Sequence, residues 1–142
     1  MKSKLMFRLS IGVGLLLCAL ASLPAYAKTP DSIEGHYLGP QGDAVIRVAR
    51  GKDGIYRGTI VWQAESKKLG HVMMSGFRYR DGKWSKGFVF PPRRKNMKLD
   101  ASLSQKGANI ELHAQKRFFS KRIVLKRLTK EITPAGFVLP QK

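Results

Sequence analysis

Between Ala44 and Leu128, apolar and polar residues alternate in short runs. Gly, Pro, Asp or Asn breaks the pattern every eight to twelve residues, and no run sustains a helical period. Ala44–Arg50 sets Ala44, Ile46 and Val48 on one face against Val45, Arg47 and Ala49 on the other. Gly51-Lys-Asp-Gly54 reads as a hairpin loop, with glycine available where φ must be positive. Ile55–Gln63 places Tyr56, Gly58, Ile60 and Trp62 together, and Ala64–Leu69 is a polar loop or a single helical turn. Val72–Tyr79 predicts a strand, Arg80-Asp-Gly-Lys83 a second hairpin turn. Trp84–Phe90 then puts Trp84, Lys86, Phe88 and Phe90 on one face and Ser85, Gly87 and Val89 on the other.

Pro91-Pro92 ends that strand, because proline has no N–H to give to a ladder. Met97–Ser104 alternates cleanly, with Met97, Leu99, Ala101 and Leu103 inward, and Gln105–Ala108 turns the chain. Asn109–Gln115 repeats the pattern with Ile110 and Leu112 inward and Asn109, Glu111 and His113 outward. Arg122–Leu128 reads as the last strand, and residues 129–142 as an irregular tail. Seven or eight antiparallel strands on tight turns predict an all-β fold, a single up-and-down β-barrel that closes its own edges. A sandwich is the alternative.

The start of the chain has another pattern. Lys2, Lys4 and Arg8 precede the apolar run Ile11–Leu20, and Ala25 and Ala27 fall at the −3 and −1 positions before Lys28. This is the order of a secretory signal peptide. The apolar run is shorter than the roughly 20 residues needed to span a bilayer, and Pro24 interrupts any continuation of it. Cys18 sits inside that run after Leu17, where a lipobox would need a small residue. The expected organisation is a signal peptide at 1–27, a linker at 28–32, a barrel domain at 33–128 and the tail at 129–142. The protein is then expected in the periplasm or outside the cell.

Cleavage changes the charge arithmetic. The whole chain has 142 residues, with 27 Lys and Arg against 9 Asp and Glu, a formal charge of +18. Removing residues 1–27 takes away three basic and no acidic groups, leaving 115 residues at +15 with no cysteine. No disulfide framework or cysteine metal site is then available, and the core has to suffice.

Candidate chemistry is sparse. His36, His71 and His113 are scattered, no Gly-x-Ser-x-Gly occurs, and most acids fall in turns or at outward positions. Neither a nucleophile–base site nor a carboxylate pair is indicated, so no catalytic residue, cofactor or metal ligand is expected. Gly51-x-x-Gly54 lacks the Lys-Ser/Thr of a phosphate loop and is a turn.

Basic residues are the strongest signal. They form Arg78/Arg80/Lys83/Lys86, Arg93-Arg94-Lys95 with Lys98, and pairs at 116–117, 121–122 and 126–127, with Phe118-Phe119 between two of them. Basic strands with interleaved aromatics suit single-stranded nucleic acid, but export makes anionic lipid or acidic polysaccharide the nearer partner. Arg93, Arg94, Lys95, Lys121 and Arg122 are the candidate anion-binding surface. One position is more specific: if Ile123 and Leu125 point inward, so does Arg127. In a closed barrel Arg127 then meets the first strand at Gly35-His-Tyr37, where it can lie over the Tyr37 ring as a cation–π closure.

An early Gly35-x-Tyr37 and a late Arg127 resemble the lipocalin, or calycin, pattern of an early Gly-x-Trp packed on a late Arg. More closely, the chain resembles a family of small exported bacterial proteins known as domain-of-unknown-function family 2147. The matching stretches are Gly58-Thr-Ile-Val61, Leu69-Gly70, Gly76-Phe77, Trp84-Ser-Lys-Gly87, Pro91 with the strand after it, and Arg127. They cover about Ile33 to Leu128. Tyr37 stands where the family has Trp, Phe90 where it has Asp, and Val-Leu-Lys-Arg where it has a late Trp-x-Arg. The resemblance implies a lipocalin-like barrel and carries no catalytic residues with it. The expectation is a non-enzymatic barrel holding a small or lipidic ligand, lined by Tyr56, Trp62, Trp84, Phe88 and Phe90. These aromatics would otherwise simply fill the core. A cationic surface-binding or stress-adaptor protein is the alternative.

Overall fold

A two-residue period builds strands, and the computed structural model, which describes residues 30–65, 67–94 and 96–141, contains ten of them. The expected signal peptide lies outside the described residues. After a 3-10 turn at Pro30–Ile33 come β1 (Gly35–Leu38), β2 (Ala44–Arg50), β3 (Tyr56–Gln63) and β4 (Val72–Phe77). Next are the short β5 (Tyr79–Arg80) and β6 (Lys83–Trp84), then β7 (Gly87–Val89), β8 (Leu99–Lys106), β9 (Asn109–Lys116) and β10 (Phe119–Arg127). Eight of them close an antiparallel barrel in the order β1-β10-β9-β8-β7-β4-β3-β2, and β5 and β6 form a separate ribbon. No α-helix occurs among the described residues.

Because each barrel strand pairs with its neighbour in sequence, the connections alternate between two ends. Loops 39–43, 64–71, 90–98 and 117–118 make the upper rim; loops 51–55, 78–86 and 107–108 make the lower end. In the ring of strands, the 64–71 and 117–118 loops stand opposite one another, as do the 39–43 and 90–98 loops. Arg93 crosses that second gap, its Nη2 donating to Gln41 Oε1 at 2.6 Å.

The interior is filled. Tyr37, Tyr56, Phe77, Ile46, Ile60, Met74, Ile110, Leu112 and Leu125 are fully buried in one core, and Ala101 and Ala114 supply the small positions between them. An eight-stranded barrel has an interior of about the volume its own side chains can occupy, and here they occupy it.

The lower end is sealed twice. Ile33 from the 3-10 turn is fully buried beneath the seam. The β5–β6 ribbon folds over the same end through an edge-to-face Tyr79–Trp84–Tyr56 aromatic stack, with ring centroids 4.8 and 4.9 Å apart. Positive φ at both Asp81 (52°) and Gly82 (74°) marks the ribbon's turn as type I′, as its Asp-Gly sequence demands. Arg78 ties the ribbon to the neighbouring loop, donating from Nη1 to the Asp53 carbonyl at 2.9 Å.

Two departures from strict alternation matter. In β3 one residue is extra: Val45 pairs with Trp62 and Ile46 with Ile60, so Val61 bulges and Trp62 turns outward. The segment 84–90 is not one strand either. Ser85 and Lys86 leave the ladder, and the register restarts at Gly87. Gly87 and Val89 are therefore the buried pair, while Phe88 and Phe90 face outward, opposite to the expected phase. The physical reason is closeness at Gly87, where an added Cβ would lie 2.6 Å from the Ser75 carbonyl oxygen and 2.8 Å from the Phe77 ring.

The tail after Leu128 runs along the outside of the barrel. Phe137 packs on His36 with ring centroids 5.7 Å apart, and Gly136 lies against Trp62. On this outer side Val45 is fully buried although it stands apart from the barrel core.

Candidate anion-binding surface

The barrel closes on few backbone rungs. β1 and β10 pair only at Tyr37–Arg127 and Leu38–Lys126, extended by Leu128 N–H donating to His36 O at 2.9 Å. Arg127 reinforces this seam with its whole guanidinium. Nε donates to Ala108 O (3.0 Å), Nη1 to Glu34 O (2.9 Å), and Nη2 to Ser32 O (2.7 Å) and to Tyr37 Oη (2.6 Å). Its carbon centre lies 4.9 Å from the Tyr37 ring centroid, and Tyr37 Oη in turn donates to Ile33 O at 2.7 Å. Burial pushes the Tyr37 hydroxyl up to about 12, against the opposing pull of the Arg127 charge. Gly35 has φ of 150°, and a Cβ there would lie 2.6 Å from Arg127 Nη1, so glycine makes room for the arginine. Gly35, Tyr37 and Arg127 thus form one structural unit.

The five aromatic residues expected to line a pocket do not converge. Tyr56 is core, and Trp84 joins it in the lower stack. Trp62 is outside under the tail. Phe88 faces outward beneath Lys98, whose Nζ lies 3.7 Å from the ring centroid. Phe90 lines an outer groove.

That groove, of about 670 Å³, runs between β4 and the 90–97 segment. Its wall includes Phe90, Pro91, Pro92 and Met97, and its polar groups are Arg57, Lys68, His71, Ser75, Arg94 and Asn96. No carboxylate lines it among the described residues. Hydrogen bonds fix the wall: Phe90 N–H donates to Met73 O (2.8 Å), and His71 Nε2 lies 2.9 Å from Phe90 O. A smaller groove of about 310 Å³ on the outer face of β2 and β3 carries Arg47, Arg50 and Arg57. Arg57 belongs to both. It is already paired with Asp53 at 2.7 Å, which holds that carboxyl down at about 2.

Four of the five candidate anion-binding residues fall toward the upper rim or the hairpin that rises from it. Arg93 and Arg94 are exposed in the 90–98 loop; Lys121 and Arg122 are exposed on β10 near the β9–β10 turn. Lys95 lies outside the described residues. Arg122 is engaged with Glu111 (3.1 Å), which also meets His113 Nε2 at 2.7 Å; the His113 contact, then the Arg122 charge, hold Glu111 below its ordinary pKa. The sequence reading missed Lys68 and His71 as partners of Arg94. They come together only when the β3–β4 and β7–β8 connections meet at the rim.

The fold and these surfaces define an eight-stranded up-and-down barrel with a packed interior and cationic outer grooves. Comparison with protein families, curated proteins and solved structures finds no match for the chain.

Proposed function

We propose that this is an exported, non-enzymatic barrel that acts through its surface, holding anionic envelope material on its cationic exterior. The observation that carries this reading is the outer groove in which Lys68, Arg94 and His71 face an apolar wall with no carboxylate among them. An anion with an apolar body, such as a lipid phosphate or an acidic sugar polymer, satisfies both halves of that groove. Export rests on the basic start, the Ile11–Leu20 run and the Ala25-x-Ala27 site. The lipocalin-like resemblance of Gly35, Tyr37 and Arg127 accords with a carrier or adaptor role.

The test is binding of the purified protein to vesicles containing phosphatidylglycerol and to polygalacturonate across a salt series. Expected is binding that weakens steeply with salt. In the double variant Lys68→Glu/Arg94→Glu it should fall by roughly fivefold per charge. Salt-independent binding, or no binding to either anion, overturns the reading. A small or lipidic ligand inside the barrel is the other role for such a fold. It would have to displace core side chains such as Tyr56 and Met74, and native mass spectrometry showing a co-purified apolar ligand would establish it.

A further inference from the structure

The β9–β10 turn breaks the rules that the other tight turns obey. Phe119 pairs with Lys116, leaving a two-residue loop of Arg117 and Phe118. Arg117 holds a φ of 46°, the left-handed region that favours Gly, Asn or Asp and penalises a long side chain. The β5–β6 turn, by contrast, uses Asp81-Gly82, and the β8–β9 turn starts with Gly107 at 60°. Phe118 is fully exposed and Phe119 half exposed. Such a turn gives up local stability and presents two aromatic rings to water, a combination that marks a working surface.

The tip also runs past the buried part of its own hairpin. The last buried residue of β9 is Ala114, so at about 3.3 Å per residue the turn lies roughly 10 Å beyond the core. Across the rim, the 64–71 loop presents another exposed apolar side chain, Leu69. Among the described residues the four upper loops carry six Lys and Arg against two acids, Asp43 and Glu65, and Glu65 is paired with Lys67 at 3.5 Å. Lys116 and Lys121, flanking the Phe pair, are exposed and have no acidic partner among the described residues.

We infer that the upper rim docks on an anionic lipid bilayer, with Phe118 and Phe119 entering the boundary between headgroups and acyl chains and Leu69 joining them from the opposite loop. The inference rests on the surface-binding reading and names its partner. Charge complementarity selects an anionic surface, and the apolar tips select a bilayer over a sugar polymer. A reach of about 10 Å past the hairpin's last buried residue matches the depth that interfacial side chains reach, and Lys116, Arg117 and Lys121 beside the two rings are placed to meet lipid phosphates.

The experiment is co-sedimentation of the full chain with phosphatidylcholine vesicles with and without phosphatidylglycerol, alongside polygalacturonate binding and sedimentation velocity. All variants are compared within the same full chain, so residues 11–20 contribute equally. Expected is binding to the anionic vesicles that Phe118→Ser lowers by roughly ten- to a hundredfold, and Leu69→Ser by less, with melting temperatures unchanged. Phe118→Trp should retain binding, and its emission should shift to the blue when vesicles are added. If Phe118→Ser binds vesicles like the unaltered chain but salt abolishes binding, the docking inference fails and the surface reading stands. Binding to polygalacturonate without vesicle binding has the same consequence. No binding to either sinks both. A dimer that Phe118→Ser dissolves, without vesicle binding, makes the tip a contact between copies and overturns the inference.

Discussion

Replacing Tyr37 with Phe removes one oxygen atom from the barrel seam, and the structure sets what that atom is worth. The hydroxyl donates to the carbonyl of buried Ile33 and accepts from Arg127 Nη2. A neutral buried hydrogen bond contributes about 1 kcal/mol and one to a charged group about 2 kcal/mol. Arg127 Nη2 keeps its bond to Ser32 O, which trims the loss, so Tyr37→Phe should cost about 2–3 kcal/mol. For a domain of this size that lowers Tm by roughly 8–12 °C. Circular dichroism melts of Tyr37→Phe, Arg127→Met and the double variant measure it. The double should be less destabilised than the sum of the singles by at least about 1 kcal/mol, because both remove the same contact. Alkaline melts give a second readout. Tyr37 is raised from 10.0 to about 12, so its stabilisation is complete below pH 10 and disappears as pH rises through 12. The gap between Tyr37→Phe and the unaltered chain should narrow over that window. A Tm change under about 2 °C, or strict additivity of the pair, would refute the seam argument.

Other expectations come from the same structure. Arg117→Gly relieves a left-handed backbone and should raise stability by about 0.5–1 kcal/mol while weakening vesicle binding, a pairing that melts and co-sedimentation can read together. Truncation after Leu128 uncovers the outer side around Trp62 and Val45, and tryptophan emission should move to the red with the barrel still folded. Gly87→Ala forces a Cβ onto the Ser75 carbonyl and the Phe77 ring, and urea unfolding should show a loss of about 1–3 kcal/mol. Burial, then the charge of Arg47, holds His36 below 6.5, so the folded chain favours the neutral ring. Its stabilisation is present above pH 6.5 and falls as pH drops below that value. A Tm–pH profile of His36→Gln should be flatter there.

Much of the barrel was legible because it rests on local periodicity. Ala44, Ile46 and Val48 in β2, Leu99, Ala101 and Leu103 in β8, and Ile110 and Leu112 in β9 all point inward as their alternation requires. The misreadings come where something non-local resets the phase. The expected strand through Trp84, Lys86 and Phe88 is broken at Ser85 and Lys86, and close contact at Gly87 turns Phe88 outward. The bulge at Val61 turns Trp62 away from the core, and a tail distant in sequence covers it. The strand beginning at Phe119 was hidden because Arg117-Phe118 has no turn chemistry. Phe118 and Phe119 then read as a hydrophobic interruption between basic pairs, and their position at a projecting tip could not be inferred. The candidate groove depends on two neighbouring loops meeting at the rim, which no short-range pattern encodes.

The seam that Arg127 holds also governs the order of assembly. Its guanidinium reaches carbonyls at Ser32 and Glu34, more than ninety residues back along the chain, so closure is among the most non-local events in this fold. Contacts of such long sequence separation form late and slowly, after the local hairpins. Until Arg127 arrives, β1 and β10 both remain open edges that can pair with a neighbouring chain. A polypeptide made from its N-terminus therefore remains an unclosed sheet until β10 is complete, and the arrival of Arg127 with its backbone rungs commits it to a barrel.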